Sequence, residues 1–303
     1  MLALKEIRRI AIVRLDKIGD LILTIPAIAS LRIAFPTAKI SAIVSPYNKV
    51  VLNGSPLVDE VIEWRWSLEN IIRLRKAKFD LMAVFSPTTN SYLLAFFSGA
   101  KIRAGYVYAN RLIPRLFTLL ALNKRSVAHE VPHEVVQSLE VVKQFGIPVK
   151  ESVKLELPVT AKAWAKHSLP PGMKIGLHFS NAWDTAFLSK LVPRLNQVAK
   201  VIVTYGPLEN PPKLEAQFFG NLRFSEWGAL AAECNVFISP NTGSMHLAAS
   251  QGVPVIAVFE PKSQEEDERR WHPWQVPYRI FRKDDPELSD KILSTVRQWL
   301  KKN

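Results

Sequence analysis

Short apolar runs alternate along the chain with longer stretches in which apolar residues recur at helical spacing. The runs rich in Ile, Val and Phe predict strands at 7–13, 39–44, 58–63, 79–85 and 101–105, and again at 174–178, 200–204, 236–239 and 255–259. The longer stretches predict helices at 21–35, 133–145, 186–198, 244–251 and 287–300. Strand–helix alternation in both halves predicts an α/β fold with two doubly wound parallel sheets.

The alternation is interrupted at 148–158, where prolines at both ends flank alternating charges, so this segment is predicted to be a linker. A chain of 303 residues also exceeds the usual size of one core. We therefore predict an N-terminal domain at 1–157 and a C-terminal domain at 158–303. Pro26 lies inside the first predicted helix and indicates a kink or an early end there.

Composition narrows the class of protein. Hydrophobic residues make up 48% of the chain and charged residues 22%, an ordinary globular mixture. The single cysteine, Cys234, cannot form an internal disulfide, and the longest apolar segment, 21–31, is too short to span a membrane. We expect a soluble, cytoplasmic protein. The formal charge of +13 favours a polyanionic partner, or serves solubility alone. The chain contains no recognised nucleic-acid-binding motif, so no nucleic acid partner is expected.

Ligands of doubly wound sheets bind beyond the carboxyl ends of strands, so the strand-to-helix turns are the candidate sites. The first turn is the segment 14–20, Arg-Leu-Asp-Lys-Ile-Gly-Asp. Gly19 permits a sharp turn or the close approach of a ligand. Asp20 is either a helix cap or a general base that takes the proton of an attacking hydroxyl group. Arg14 and Lys17 are either phosphate contacts or solvated side chains.

A second turn follows the predicted strand at 236–239. It combines small, hydroxyl-bearing and imidazole side chains: Asn241, Thr242, Gly243, Ser244 and His246. The first amide groups of the following helix form an anion site, and the hydroxyl groups can add hydrogen bonds. His246 follows Thr242 by one helical turn and shares its face. The alternative interpretation is a capped helix with a buried structural histidine.

The two turns together resemble those of the bacterial heptosyltransferases of lipopolysaccharide synthesis, glycosyltransferase family 9. The matching segments occur in the same order along nearly the whole chain, at 14–20, 26–36, 177–178, 241–255 and 270–273. The resemblance implies the GT-B architecture, in which two Rossmann-like domains face a cleft. It also implies transfer of a heptose, with inversion and without a required metal ion or cofactor, from ADP-heptose to a lipopolysaccharide-core or similar glycolipid hydroxyl.

The resemblance also assigns roles to residues. Asp20 is the expected base, in an acceptor-binding N-terminal domain. The expected donor-binding residues of the C-terminal domain are Asn241, Thr242, Gly243, Ser244, His246, His178, Ser180 and Glu209. Three features depart from the family pattern. The stretch 206–209 keeps the family's glycine and an acid but with altered spacing, and two single positions differ. Asn241 stands where the family has Asp, and the stretch 185–187, aligned with the family's Lys-x-Trp signature, lacks the lysine. Weaker donor binding or another nucleotide sugar is therefore expected.

Residues 81–129 contain no Asp or Glu but several basic and aromatic side chains. This pattern suits an anionic glycolipid and the inner membrane surface, with Arg111 and Arg115 as phosphate or acceptor contacts. The alternative is an ordinary buried segment with solvated basic residues. The acidic run at 265–268 is expected to be a solvated loop. Two further functions stay open: transfer of a different sugar, and a non-catalytic binding protein on the same fold.

Overall fold

A computed structural model describes residues 6–108, 112–128, 132–181, 183–262 and 265–301, with only the backbone described at 112–116 and 128. The chain divides into two compact units, Met1–Val153 and Lys154–Asn303. The boundary falls inside the segment predicted as a linker, in which Val153, Leu155 and Leu157 are buried. Within the described ranges, no helix has both the length and the apolar character needed to cross a membrane.

The first unit holds a parallel sheet of six strands. Its elements are β1 (Arg9–Arg14), α1 (Ile18–Ala34), β2 (Lys39–Val44), a short 3-10 helix (Lys49–Val51), β3 (Glu60–Glu63), α2 (Leu68–Lys76), β4 (Leu81–Val84), α3 (Thr89–Ser98), β5 (Ile102–Tyr108), α4 (Leu112–Ala121), β6 (Lys124–Ala128) and α5 (Glu134–Lys143). The strand order is β3-β2-β1-β4-β5-β6. Since the connections change direction between β1 and β4, the carboxyl ends of these two strands form the switch point where such sheets bind ligands.

The second unit repeats this plan. Its elements are α6 (Val159–Ser168), β7 (Lys174–His178), α7 (Thr185–Asn196), β8 (Lys200–Tyr205), β9 (Gln217–Gly220), α8 (Phe224–Ala232), β10 (Val236–Pro240), α9 (Gly243–Ser250), β11 (Val255–Phe259), α10 (Glu265–Trp271), β12 (Tyr278–Arg282) and α11 (Leu288–Leu300). All pairings are parallel, in the order β12-β11-β10-β7-β8-β9. The switch point of this sheet lies between β7 and β10. The prediction of two doubly wound parallel sheets is confirmed.

Helix α1 differs from its prediction in two ways, in where it begins and in its course at Pro26. It begins at Ile18, so Gly19 and Asp20 lie in its first turn, and it continues through Pro26 to Ala34. The early end predicted at Pro26 is wrong, because proline removes only one backbone donor from the helix and the flanking turns remain packed. The Pro26 carbonyl accepts a hydrogen bond from Ser30 Oγ at 2.7 Å.

The acidic run at 265–268 was expected to be a loop, and that expectation is also wrong. It forms the start of α10, a helix without a buried residue. Glu is a good helix former, and acidic side chains stabilise the positive N-terminal end of a helix. One of them, Glu268, forms an ion pair with Arg282 of β12.

Helices α2, α3 and α4 cover one face of the first sheet. Leu74, Leu94 and Ala121 of these helices belong to one buried apolar cluster with Ala11 and Met82 of the strands. Helix α1 packs against α5. Strand residues that alternate with those of the cluster, such as those flanking Ala11, point to the opposite face of the sheet.

Candidate functional site

The turn between β1 and α1 is attached to the end of β4, at the first switch point. Arg14, the last residue of β1, is 1% exposed. Its Nη1 atom donates a hydrogen bond to the Phe85 carbonyl, and the Leu15 amide donates to Ser86 Oγ at 2.9 Å. The Asn48 amide group also donates to the Arg14 carbonyl, at 3.0 Å. The backbone that carries the candidate base is therefore held from two neighbouring strand ends.

Three carboxylates surround the Arg14 guanidinium. Its Nη2 atom lies 2.8 Å from Glu134 Oε2 and 3.3 Å from Asp20 Oδ1, and its Nε atom lies 3.3 Å from Asp16 Oδ2. Burial disfavours the charged form of Arg14, but the three carboxylates outweigh it and raise the pKa of Arg14. Burial raises the pKa of Asp16, and Arg14 opposes this shift. Arg14 therefore stays charged and holds the acidic cluster together.

Asp20 makes the contacts of a helix cap and those of a positioned carboxylate at once. One oxygen accepts a hydrogen bond from the Lys17 amide at 3.2 Å, while the other faces Arg14. The side chain keeps 15% exposure, so a substrate group can reach it. Gly19 is buried in the first turn of helix α1, so its backbone is helical and does not form a sharp turn. The capping role is present, and it leaves the role of base possible.

The structure gives the two predicted phosphate contacts different surroundings. Arg14 is buried, and its guanidinium contacts Glu134, Asp20 and Asp16. Its role as a phosphate contact stays a prediction. Lys17 is exposed at the N-terminus of α1. Arg111 lies outside the described residues, and so does the side chain of Arg115.

Glu134 is a site residue that the sequence did not reveal. It is the first residue of α5, has no exposed side-chain surface and lies 120 positions after Arg14. A buried carboxylate requires a partner. An acidic residue at a helix start is favoured by the helix dipole alone, so its position gives no sign of a distant partner. No local pattern connects it with Arg14, because α5 reaches the β1–α1 turn only through tertiary packing.

At the second switch point, a chain of hydroxyl groups lies at the start of α9. Thr242 Oγ1 and Ser239 Oγ each lie 2.6 Å from Ser244 Oγ, and Ser239 Oγ donates to the Pro240 carbonyl at 2.8 Å. Thr242 occupies the cap position, but its side chain makes no cap hydrogen bond. The side-chain cap of the alternative interpretation is therefore absent at this turn, whereas its buried histidine is present, since His246 is buried. The first amide groups of a helix have no partner within it, so this terminus keeps its capacity to bind an anion.

The other residues of this turn differ in exposure. Asn241 is exposed, Thr242 and Gly243 are half-buried, and Ser244 and His246 are buried. His246 lies in the middle of α9 with 4% exposure. The structure thus brings the hydroxyl groups and the start of the helix together at the strand end, with the amide group of Asn241 at the surface.

His178 ends β7, beside β10, and is enclosed by aromatic and hydroxyl groups. Its Nδ1 atom lies 3.1 Å from Thr204 Oγ1, and its ring centroid lies 5.0 Å from that of Trp227. Its carbonyl accepts a hydrogen bond from the Trp183 indole at 2.9 Å. Burial lowers the pKa of His178 to about 4, so the ring is neutral at physiological pH. A neutral ring can donate one hydrogen bond to a ligand without bringing charge.

Ser180 and Glu209 behave differently in the same region. Ser180 is 9% exposed, and its buried Oγ atom has no hydrogen-bond partner among the described residues. A buried hydroxyl without a partner is costly unless a ligand or water completes it. Glu209 Oε2 instead accepts a hydrogen bond from the Gly206 amide at 2.7 Å, which closes the turn after β8. The Ser180 hydroxyl is therefore open to a ligand or to water, whereas one Glu209 oxygen is occupied by its own turn.

Acid is expected to destabilise the protein through His178. The unfolded chain protonates this histidine near pH 6.5, whereas the folded chain resists protonation to about pH 4. Its contribution to stability is therefore full above pH 6.5 and is lost as the pH falls to 4, by about 3 kcal/mol. Urea unfolding at pH 7, 5.5 and 4 would measure it. Between pH 7 and pH 4, the free energy of unfolding should fall by about 3 kcal/mol less in His178→Asn than in the wild type. In His167→Asn, an exposed control, it should fall as much as in the wild type. Equal losses in all three proteins would contradict the prediction.

Both sheets thus have the Rossmann strand order, and each has polar side chains gathered at its switch point. This arrangement defines a two-domain α/β protein with a candidate site in each unit. The family model of glycosyltransferase family 9 (heptosyltransferase) matches residues 68–296. The chain belongs to that family and is a glycosyltransferase.

Individual relatives agree with this assignment. The chain is 24% identical to lipopolysaccharide heptosyltransferase 3 of Escherichia coli, over 84% of this chain and 83% of the relative. The structure of the E. coli ADP-heptose lipopolysaccharide heptosyltransferase II superposes with a TM-score of 0.78 at 16% identity, covering 97% of this chain and 99% of that one. A family 9 glycosyltransferase of Veillonella parvula gives 0.74 at 20% identity, covering 96% and 89%. The two structures show that the fold is shared.

Proposed function

We propose that this glycosyltransferase moves a heptose, or a related sugar, from a nucleotide diphosphate donor to a hydroxyl group of a lipopolysaccharide-core or similar glycolipid. ADP-heptose is the first donor to test, since it is named with a solved structure of this fold. The observation that carries the proposal is the uncapped start of α9 at the second switch point. Its amide groups and the hydroxyl groups of Ser239, Thr242 and Ser244 suit a diphosphate.

The proposed reaction is a direct displacement with inversion. Asp20 takes the proton of the acceptor hydroxyl as that oxygen attacks the anomeric carbon. The bond between this carbon and the diphosphate oxygen breaks, and the diphosphate leaves with an additional negative charge. The positive end of α9 stabilises that charge. The proposal needs no metal ion and no cofactor besides the donor.

A transfer assay tests the proposal. The purified chain is incubated with ADP-heptose and a heptose-deficient core glycolipid, and the product is identified by mass spectrometry. The expected result is one added heptose per acceptor with an equal release of ADP, and an inverted anomeric configuration by NMR. Donor binding without sugar transfer would instead show a non-catalytic binding protein. Transfer from another nucleotide sugar alone would contradict ADP-heptose as the donor.

Gly243 provides a test of the donor site. It is the first residue of α9 and half-buried, so a valine there would place two methyl groups at the start of the helix. Gly243→Val is expected to weaken nucleotide binding more than tenfold while the protein stays folded. Calorimetry with ADP-heptose and a thermal unfolding curve measure the two effects. Unchanged affinity would show that the diphosphate binds elsewhere.

The position of Trp183 supports a different alignment of this chain with the family's Lys-x-Trp signature. Trp183 is 6% exposed and stacks on Phe187 with a centroid distance of 5.9 Å. If Trp183 takes the place of the signature tryptophan, Asn181 takes that of the lysine. Thr185, which the sequence alignment placed there, starts α7 and is exposed. In either alignment, the lysine of the family signature is absent from this chain.

Restoring that charge is expected to tighten donor binding. In Asn181→Lys with Asn241→Asp, a charge-assisted contact of roughly 1.5–3 kcal/mol lowers the dissociation constant of ADP-heptose about ten- to hundredfold. The matched control is Thr185→Lys with Asn241→Asp, which places the lysine where the sequence alignment put it. This variant should change the dissociation constant of ADP-heptose little. Titration calorimetry compares both with the wild type. Tight wild-type binding that neither variant improves would show that the missing lysine has no effect.

The proposal also includes the place of the reaction. We propose that the first unit binds the anionic glycolipid acceptor and that the enzyme works on the cytoplasmic side of the inner membrane, without a nucleic acid partner. The first unit has 21 Lys and Arg against 12 Asp and Glu, a net charge of +9 of the formal +13, and this charge supports a membrane location.

A further inference from the structure

The outer side of the α2–α3–α4 layer exposes large apolar side chains. Six of them are 42–75% exposed: Trp66, Leu68, Ile72, Phe96, Leu119 and Leu120. Leu68 and Ile72 lie one turn apart on α2 and so share a side of the helix. Helix α3 packs against both α2 and α4, and the Phe96 ring lies 6.4 Å from that of Phe117. We call these six side chains, together with the helices that carry them, the outer face.

The same part of the chain carries most of the excess positive charge. Residues 65–128 include eleven Lys and Arg but two Asp and Glu, which is +9 of the formal +13. Both acids are neutralised locally. Glu69 lies 2.6 Å from Arg73, and Asp80 lies 3.1 Å from Lys101. Helix α3 has no charged residue at all. The outer face therefore belongs to a part of the chain that combines exposed apolar side chains with a strong excess of positive charge.

We propose that the outer face docks the enzyme on an anionic lipid bilayer. This inference rests on the proposed function, in which the acceptor is a membrane glycolipid, and it names the surface that makes the contact. Exposed Leu, Ile and Phe side chains gain by entering the boundary between headgroups and acyl chains. Trp66 suits that boundary, since it has an apolar body and a polar N–H group. The surrounding Arg and Lys side chains attract anionic headgroups.

Charge selects the bilayer over the other occupants of an apolar face. A second copy of the chain would bring two strongly positive surfaces together, which repel each other. A nucleic acid would match the charge but would leave the exposed Leu and Ile side chains without an apolar partner. An anionic bilayer satisfies both features, because it offers negative charge at its surface and an apolar interior below it.

Vesicle co-sedimentation of the full chain tests the proposal. The vesicles are phosphatidylcholine alone, or phosphatidylcholine with about one third phosphatidylglycerol, and both lack a sugar acceptor. We expect binding to the anionic vesicles at least tenfold tighter than to the neutral ones, and weaker in high salt. The variant Leu68→Ser/Ile72→Ser/Leu120→Ser should bind the anionic vesicles about tenfold more weakly than the wild type does.

A matched variant controls for the loss of exposed apolar surface in general. Ile33→Ser/Val159→Ser/Leu208→Ser removes three side chains of 66–92% exposure outside the outer face and should bind like the wild type. Equal binding of wild type and the first variant, or equal losses in both variants, would overturn the proposal. So would a wild-type dimer that the first variant converts to a monomer. Transfer to a water-soluble acceptor should be unchanged in both variants, so a failure of docking is distinguishable from a failure of sugar transfer.

Discussion

Arg14→Met is expected to lower the free energy of unfolding by ~3–5 kcal/mol, because it leaves buried carboxylates without their cation. Glu134 is fully buried, and Asp16 and Asp20 are 25% and 15% exposed, so water cannot replace the guanidinium at all three. Urea denaturation at pH 7 measures the loss. The loss should be smaller at pH 5 than at pH 8, since burial already raises the pKa of Asp16 and the variant loses the Arg14 charge that opposes this shift.

A double variant separates the ion cluster from simple loss of packing. Arg14→Met/Glu134→Gln removes one of the uncompensated charges and should be more stable than the sum of the single losses predicts, by more than 1 kcal/mol. Arg73→Met breaks the exposed pair with Glu69 and should cost less than 1 kcal/mol. Strictly additive losses would show that the cluster is not coupled through Arg14.

Asp20→Asn is expected to lower kcat by about 10²–10⁴ while donor affinity changes less than threefold, because an amide cannot take the proton of the acceptor hydroxyl. The substitution keeps the shape of the side chain, and the amide oxygen can still accept the hydrogen bond of the Lys17 amide. The helix cap is therefore retained while the base is lost. Initial rates with ADP-heptose and the glycolipid acceptor, together with calorimetry of the donor, give the two numbers.

Asp16→Asn is the matched control, since this neighbouring carboxylate also contacts Arg14. Its kcat should fall less than tenfold. Equal losses of kcat in both variants would show that Asp20 acts only by holding the Arg14 cluster. A loss of donor affinity as large as the loss of kcat would contradict its assignment as the base.

The interior strands and the helices next to them were predictable from local pattern. The bounds of β2, β7 and β11 match their predictions, because a strand covered on both faces reads as a continuous apolar run. Strands β6, β9 and β12 were missed. All three lie at an edge of their sheet and are partly exposed, so their sequences lack that run. Helices α2, α3, α4, α6 and α8 were missed as well, and α10 was expected to be a loop. In α3 and α8 the apolar residues are not confined to one side.

The sequence by itself determined the two strand-to-helix turns and the residues in them, because chain order alone places Asp20 and Thr242 just after buried strands. Only the tertiary structure decided what these residues contact. It brings Glu134 to Arg14 across 120 positions, and it sets the Thr242 hydroxyl against Ser244 instead of the helix amides. A pattern along the chain reports which side chains are buried and in what period. The partner of a buried charge depends on how distant elements pack, and no local period records that.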